Sequence, residues 1–224
     1  MGLRHLVSLA LDRFAPDLAE GLALDAGCGT GGWMKHLASK RPGLTVVGLD
    51  LAPAGLAGCC QKLTCPLLVR GSVNELPFLA DQFDLVFSLD VIYHQNVDDA
   101  KAVAEMARVL KTGGLLLLNT PAFRSLSGSH DKAVQGIRRH TRTGLERLLK
   151  SVGLRPVHLT YWNSLLLPVM AARRWLSRGR GESDLALPPG PVNKALAGLM
   201  KLEVALGLRL SWPVGGSLFA VAEK

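Results

Sequence analysis

Short apolar runs alternate with longer amphipathic ones from Gly21 to Thr120. LALDA (22–26), LTVVGLD (44–50), PLLVRG (66–71), FDLVFSLD (83–90) and GLLLLNT (114–120) are too short for helices. Their few polar interruptions mark strands covered on both faces. Between them, TGGWMKHLASK, PAGLAGCCQKL and DDAKAVAEMARVLK carry apolar residues at helical spacing. The last of these opens on Asp98 and Asp99, a cap and a first-turn acid, and is predicted to end on Lys111 before Gly113. Strand–helix–strand repetition implies right-handed crossovers and a parallel sheet with helices on both sides.

The regularity loosens after Thr120. Residues 121–140 form a polar, basic connection, and a helix is predicted from Thr143 to about Ser151, closed by Gly153. A strand follows over Arg155–Tyr161, and SLFAVAEK (217–224) reads as a last strand. Residues 163–213 hold two amphipathic stretches separated by SRGRGESDLALPPGP, a loop by composition. The first, within 162–178, is apolar and then basic, is interrupted by Pro168, and has Trp162 and Trp175 at its ends. It is too short to span a bilayer and reads as a lid helix, an interfacial helix in peripheral membrane contact, or a wall for a lipophilic substrate. The second, 198–212, is predicted to pack against it. The opening MGLRHLVSLALDRFAPDL is an amphipathic helix with neither a signal peptide's nor a span's pattern, so a soluble, cytoplasmic chain is expected.

The 224 residues, 48% apolar and 20% charged, suit a single domain with a sizeable core. The formal charge of +8 is unevenly spread: residues 1–120 carry 10 Lys/Arg against 12 Asp/Glu, whereas 121–224 carry 16 against 6. Two readings stand for the basic half: a solvated face, or a surface that meets an anionic substrate or membrane. Nucleic acid ranks below these, because no RNA-binding module is evident and aromatics are sparse. Cys28, Cys59, Cys60 and Cys65 contain no C-x-x-C pair, which favours reduced thiols over a disulfide framework and provides no chelating pair for zinc. Oligomeric state is left open.

LDAGCGTGG (24–32) is the most informative stretch. A strand ends, Gly27, Gly29, Gly31 and Gly32 let the backbone turn and approach a ligand, and a helix begins with its unpaired N–H groups facing the same space. Gly27-x-Gly29-x-x-Gly32 also fits the dinucleotide fingerprint, so glycine counting leaves the cofactor undecided. Asp50 ends the second strand 23 residues beyond Gly27, where a carboxylate can accept both ribose hydroxyls of an adenosine. Asp25 separates the alternatives: a carboxylate repels a pyrophosphate and favours a cationic amino acid.

With these motifs in hand, the chain resembles the class I S-adenosylmethionine (SAM)-dependent methyltransferases, particularly the methyltransferase type 11 group. The resemblance covers about residues 20–155 and rests on LDAGCGTG, VVGLD, RGSVNELPF, FDLVFSLDVIYH and RVLKTGGLLLLNTP in that order. It implies an α/β fold: a seven-stranded Rossmann-like sheet of six parallel strands and an antiparallel last strand. A SAM-binding core would occupy 1–120, with a helical basic cap from 121–140 and 163–213 inserted before the last strand. It implies that Gly27, Cys28 and Gly29 pass beside the methionine moiety, with Asp25 near its ammonium. Asp50 would bind ribose, Leu51 would pack on adenine, and Leu89 would offer its backbone to the ammonium. Ser72 and Val73 fall where the family has an acid and an apolar residue at the adenine edge; Ser72 offers a bond about 1 kcal/mol weaker than a charge-assisted one.

For chemistry, the resemblance points to two clusters. SLDVIYH supplies Asp90, Tyr93 and His94; many relatives carry D/E-V-x-E-H there, in some as a metal site. Tyr93 stands in place of the second acid, and Asp90 with His94 alone suits a hard cation poorly, so no metal is expected. His94 is either a general base or a loop-bridging histidine. The second cluster, SGSHD (127–131) and Arg138-Arg139-His140, resembles a subgroup pattern, with Leu126 replacing a tryptophan, Ile137 inserted and His140 replacing a tyrosine. His130 and Asp131 would orient or deprotonate an acceptor, while Arg138, Arg139 and His140 would bind an anionic one. The alternative is a salt-bridged loop scaffold. The function expected is methyl transfer from SAM to a small-molecule acceptor, anionic or lipophilic. The rivals are an NAD(P)-dependent oxidoreductase and a SAM-fold protein that binds SAM without methyl transfer.

Overall fold

A computed structural model describes residues 2–64, 66–122, 140–165, 190–208 and 210–224. In chain order the elements are α1 (Gly2–Phe14), β1 (Glu20–Ala26), α2 (Gly32–Lys40), β2 (Gly43–Asp50), α3 (Pro53–Lys62), β3 (Leu67–Arg70) and β4 (Phe83–Leu89). There follow α4 (Asp99–Val109), β5 (Leu110–Pro121), α5 (Arg142–Ser151), β6 (Arg155–Trp162), α6 (Gly190–Gly207) and β7 (Ser217–Glu223). The strands form one sheet in the order β3-β2-β1-β4-β5-β7-β6. β7 runs antiparallel between β5 and β6, pairing Leu115 with Glu223 and Pro121 with Ser217 on one side and Trp162 with Ser217 on the other. The remaining pairs are parallel, as the alternation of elements requires.

The run Leu115–Leu118 shows why the sheet forms here. Successive strand side chains point to opposite faces. Leu116 and Leu118 accordingly join Leu24, Val86, Met106 and Leu149 on one side. Leu115 and Leu117 join Leu6, Leu11, Phe87 and Phe219 on the other. All four leucines are buried, and each stabilises the fold by about 1.5–3 kcal/mol. Leu117→Ala would forfeit about 2–5 kcal/mol through lost transfer energy and the cavity left behind.

Helix ends follow the capping residues. Asp98 caps α4 by accepting from Lys101 N, and Thr141 caps α5 by accepting from Gly144 N, so that α5 begins at Arg142, one residue ahead of the expected start at Thr143. Gly153, at φ 82, closes the α5 turn. α4 stops at Val109 rather than at Lys111, because Leu110 adopts extended geometry and pairs with Phe83 at the start of β5. The pairing wins over local helix propensity, since Leu110 and Phe83 are both fully buried.

α1 buries Leu6, Val7, Ala10 and Leu11, the stripe its periodicity predicts. Val204 of α6 and the following Leu208 enter the same cluster, so the second amphipathic stretch covers the sheet beside α1. The stretch expected to receive it lies largely outside the described residues. Its first part is nonetheless held: Glu203, buried in α6, accepts from Ser164 N at 2.5 Å and Leu165 N at 3.3 Å. Among the described residues no helix is long and apolar enough to cross a membrane.

Candidate functional site

The carboxyl ends of β1, β2, β4 and β5 meet along one edge of the sheet, where Asp25, Asp50, Leu51 and Asp90 lie. At the end of β1, the Gly27 and Cys28 N–H groups both donate to Leu49 O, at 2.8 and 2.9 Å. This clamps the glycine loop to β2. Gly27 has φ 98, and a Cβ there would collide with the Val91 methyls, so the loop after β4 packs directly on this glycine. Gly29, at φ 50, differs: a Cβ there would meet nothing within 4 Å. It borders open space.

Asp50 is held from both sides. Its Oδ2 accepts from Gly29 N and its Oδ1 from Ala52 N, each at 2.8 Å. Each oxygen keeps a further lone pair, enough to receive two hydroxyls. Leu51 beside it is 56% exposed, an apolar surface at the strand end. Asp25 has the opposite environment. It is 1% exposed, and its Oδ2 is buried without a hydrogen-bond partner. Burial, reinforced by Asp50, pushes its carboxyl well above the ordinary range. A buried carboxylate oxygen left unpaired calls for a cation or a proton.

This donor set fits SAM. A pair of hydroxyls suits Asp50, an ammonium suits the unpaired Asp25 oxygen, and the open side of Gly29 admits a ligand against the backbone. A pyrophosphate would add negative charge beside Asp25 and Asp50. Other sequence-predicted contacts divide. Ser72 Oγ accepts from Asn74 N at 3.2 Å and retains its own hydroxyl proton to donate. The side chains of Val73 and Cys28 turn into the protein, Val73 into the main core and Cys28 against Met34 and Cys59. Any cofactor contact they make runs through backbone. Burial, then Asp25 and Cys59, pushes the Cys28 thiol far up. Leu89 is buried at the end of β4.

The neighbouring wall comes from β4, β5 and β6. Asp90 follows β4 with φ 62, unusual for a residue with a side chain. Its side chain is reached by solvent. Burial raises its carboxyl, an effect opposed by the Asn119 hydrogen bond and by His94. Asn119 Nδ2 donates to Asp90 Oδ1 at 2.7 Å, and Asp90 N donates to Asn119 O at 2.9 Å. Trp162 Nε1 donates to Asn119 Oδ1 at 2.8 Å. Tyr93 is buried and stacks on the half-buried His94, ring centroids 4.5 Å apart and planes at 25°. Among the described residues no three His, Cys, Asp or Glu side chains gather as a metal site.

His140 is placed differently from its expected role with an anionic acceptor. Nδ1 lies 3.1 Å from Thr120 Oγ1 and Nε2 lies 2.9 Å from Asp99 Oδ2, so both nitrogens serve internal contacts between β5 and α4. The ring is buried because Thr120, fully buried, needs a partner. His130, Asp131, Arg138 and Arg139 lie outside the described residues. Asn119 and Trp162 were not singled out as a pair from sequence. The available signal was an asparagine inside LLLLNT: a polar side chain in a strand covered on both faces must find a partner.

Residues 24–118 match the family described as "Methyltransferase domain". A malonyl-[acyl-carrier protein] O-methyltransferase of Hamiltonella defensa is 35% identical over 125 residues, which cover 55% of this chain and 47% of that one. The match thus spans about half the length of that curated relative. Among solved structures, phosphoethanolamine N-methyltransferase 2 of Haemonchus contortus, in complex with S-adenosyl-L-methionine, superposes with a TM-score of 0.66 at 25% identity. The match covers 97% of this chain and 52% of that one. The [4+2]-cyclase SpnF gives a TM-score of 0.66 at 19% identity, covering 98% and 80%, a likeness of fold. Through the matched residues 24–118, the antiparallel last strand and the glycine loop between Asp25 and Asp50, the chain is similar in sequence and fold to the class I SAM-dependent methyltransferases.

Proposed function

We propose that this protein transfers a methyl group from SAM to a small-molecule acceptor, anionic or lipophilic. The observation that carries the reading is the buried, unpartnered Asp25 oxygen beside an Asp50 whose two oxygens are fixed by backbone N–H groups. SAM supplies a sulfonium methyl that a nucleophile displaces in line. The chain's own contribution is alignment and exclusion of water, and such positioning is worth about 7–11 kcal/mol of the barrier. Asp50 anchors the ribose, Asp25 the ammonium, and Leu51 and Ser72 flank the adenine. Tyr93 and His94 stand beside Asp90 at the edge where the acceptor would approach, with His94, His130 and Asp131 as the groups that would take its proton.

An anionic acceptor is supported by the basic balance of residues 121–224 and by a relative named for a malonyl group. Arg138 and Arg139 would grip it through guanidinium forks, residues 121–140 and 163–213 forming the substrate side. Replacing both arginines by glutamine then raises the acceptor's KM by one to two decades and spares SAM affinity. A second reading, SAM binding without methyl transfer, draws on the fold shared with a cyclase. Release of S-adenosylhomocysteine (SAH) from SAM in the presence of short-chain acyl thioesters, phosphorylated amino alcohols and isoprenoid alcohols tests the proposal. Acceptor-dependent SAH release supports transfer. SAM binding with no release above the acceptor-free rate leaves the second reading.

A further inference from the structure

Asn119 belongs to no cofactor contact, yet it grips Asp90 twice, by backbone and by side chain. Its amide orientation follows from chemistry. An indole N–H only donates, so the Asn119 atom facing Trp162 must be the carbonyl oxygen. The NH2 group is thereby committed to Asp90 Oδ1, which must act as an acceptor. Asp90 Oδ2 has no hydrogen-bond partner among the described residues, and any proton the acid carries resides there. Asn119 is 1% exposed and Trp162 is buried, so the relay is shielded while Asp90 at its tip is open to solvent. Three strands contribute: Asp90 directly follows β4, β5 carries Asn119, and β6 ends at Trp162. The next residue, Val91, packs on Gly27, which sets Asp90 beside the cofactor loop.

Asp90 carries the Asn119 side-chain bond from a left-handed backbone, at φ 62. The two Asn119 bonds hold Asp90 in that conformation from its main chain and its side chain. We propose that Asn119, oriented by Trp162, is a positioning residue that presents Asp90 Oδ2 to the methyl acceptor. The acceptor atom is therefore one bearing a proton, a hydroxyl or amine, and not a carboxylate. This rests on the methyl-transfer reading above. As the acceptor lone pair forms its bond to the methyl carbon, the carbon–sulfur pair returns to sulfur and the acceptor's proton passes to Asp90 Oδ2, in place of His94, His130 or Asp131, then to solvent. An anionic group elsewhere on the same acceptor remains compatible; a carboxylate at the reacting point would face Asp90 with like charge.

The test follows the Asp90 carboxyl carbon by NMR in protein labelled with 13C-aspartate, its signal identified by its loss in Asp90→Asn. Trp162→Phe keeps an aromatic ring but removes the donor that orients Asn119. The titration midpoint of Asp90 should then rise by about one pH unit, because its ionised form loses an assured hydrogen bond. Asn119→Asp, near in shape, still accepts from Trp162 and turns an oxygen toward Asp90; it should raise the midpoint further and covers the case in which Trp162→Phe fails to fold. A midpoint unchanged in either folded variant overturns the relay. With SAH bound, ethanolamine and phenol should shift the Asp90 signal and acetate should not. An acetate shift as large as theirs, or no shift from any of the three, overturns the acceptor class. Failure of SAH to bind would instead strike the methyl-transfer reading, while the titrations of ligand-free protein still judge the relay.

Discussion

Asp50 ends one parallel strand and Asp90 directly follows another at the same edge of the sheet, and both are held as hydrogen-bond acceptors, but by different means. Asp50 is fixed by main-chain N–H groups of Gly29 and Ala52. Asp90 is fixed by the side chain of Asn119, itself oriented by Trp162. Backbone donors do not change when side chains do, so the cofactor half tolerates sequence variation while keeping its geometry. A side-chain relay is adjustable, which suits the half that must choose an acceptor. Asp25 extends the contrast: among the described residues it is the site acid whose carboxylate oxygen is buried and unpartnered, so its environment favours a proton or a ligand cation.

The largest expected effect comes from breaking the backbone-held side. Asp50→Ala removes acceptors for two ribose hydroxyls, each charge-assisted bond being worth about 1.5–3 kcal/mol. SAH affinity measured by calorimetry should fall at least about a hundredfold, while turnover at saturating SAM is largely kept, since that binding is common to ground and transition states. A fall in turnover with affinity intact would assign Asp50 to the chemistry instead.

Next in size are the two glycines of the loop, which sharpen the distinction between packed and open backbone. Gly27→Ala adds a methyl against Val91 at a positive φ and should destabilise by about 3 kcal/mol, combining backbone strain with overpacking. Gly29→Ala meets open space and carries only the left-handed penalty of about 1–2 kcal/mol. Urea unfolding of the two variants side by side measures the difference; equal losses would mean the Val91 contact is unimportant.

Ligand-induced stabilisation tests which cofactor the half was built for. SAH at a hundredfold excess over its Kd should stabilise by about 2.7 kcal/mol, and NAD should not raise the melting temperature. A shift from NAD alone would reverse the assignment.

The smallest effect concerns pH. Asp25 has a folded-state pKa raised above 3.8 by burial and by Asp50. The native ligand-free protein therefore retains this proton where the unfolded chain has lost it. The resulting stability is fully present below the ordinary carboxylate value and is lost as pH rises through the raised one. Asp25→Asn cannot ionise, so its melting temperature should match the wild type in acid and exceed it at pH 8. A gain of 1 kcal/mol corresponds to about 2–4 °C in a protein of this size. The same variant should bind SAH more weakly, having lost the ammonium partner. A melting difference independent of pH would show that Asp25 does not change protonation on unfolding.

What could be read from the residues alone is whatever depends on neighbours in the chain. The period-two and helical patterns of 21–120, the cap at Asp98, the glycine loop and the acid-ended second strand are local. Gly29 and Asp50 could be named because strand, turn and strand bring them together in any fold of this alternation. Tertiary structure decided the rest. It ended α4 at Val109, because Leu110 had a strand partner in Phe83. It directed Cys28 and Val73 inward, because a residue's face depends on what packs beside its strand or loop. It turned His140 toward Thr120 and Asp99, and it joined Asp90, Asn119 and Trp162 across 72 residues of chain. Such long-range pairings leave little local trace in the sequence, because a buried polar side chain signals that it needs a partner without saying which one.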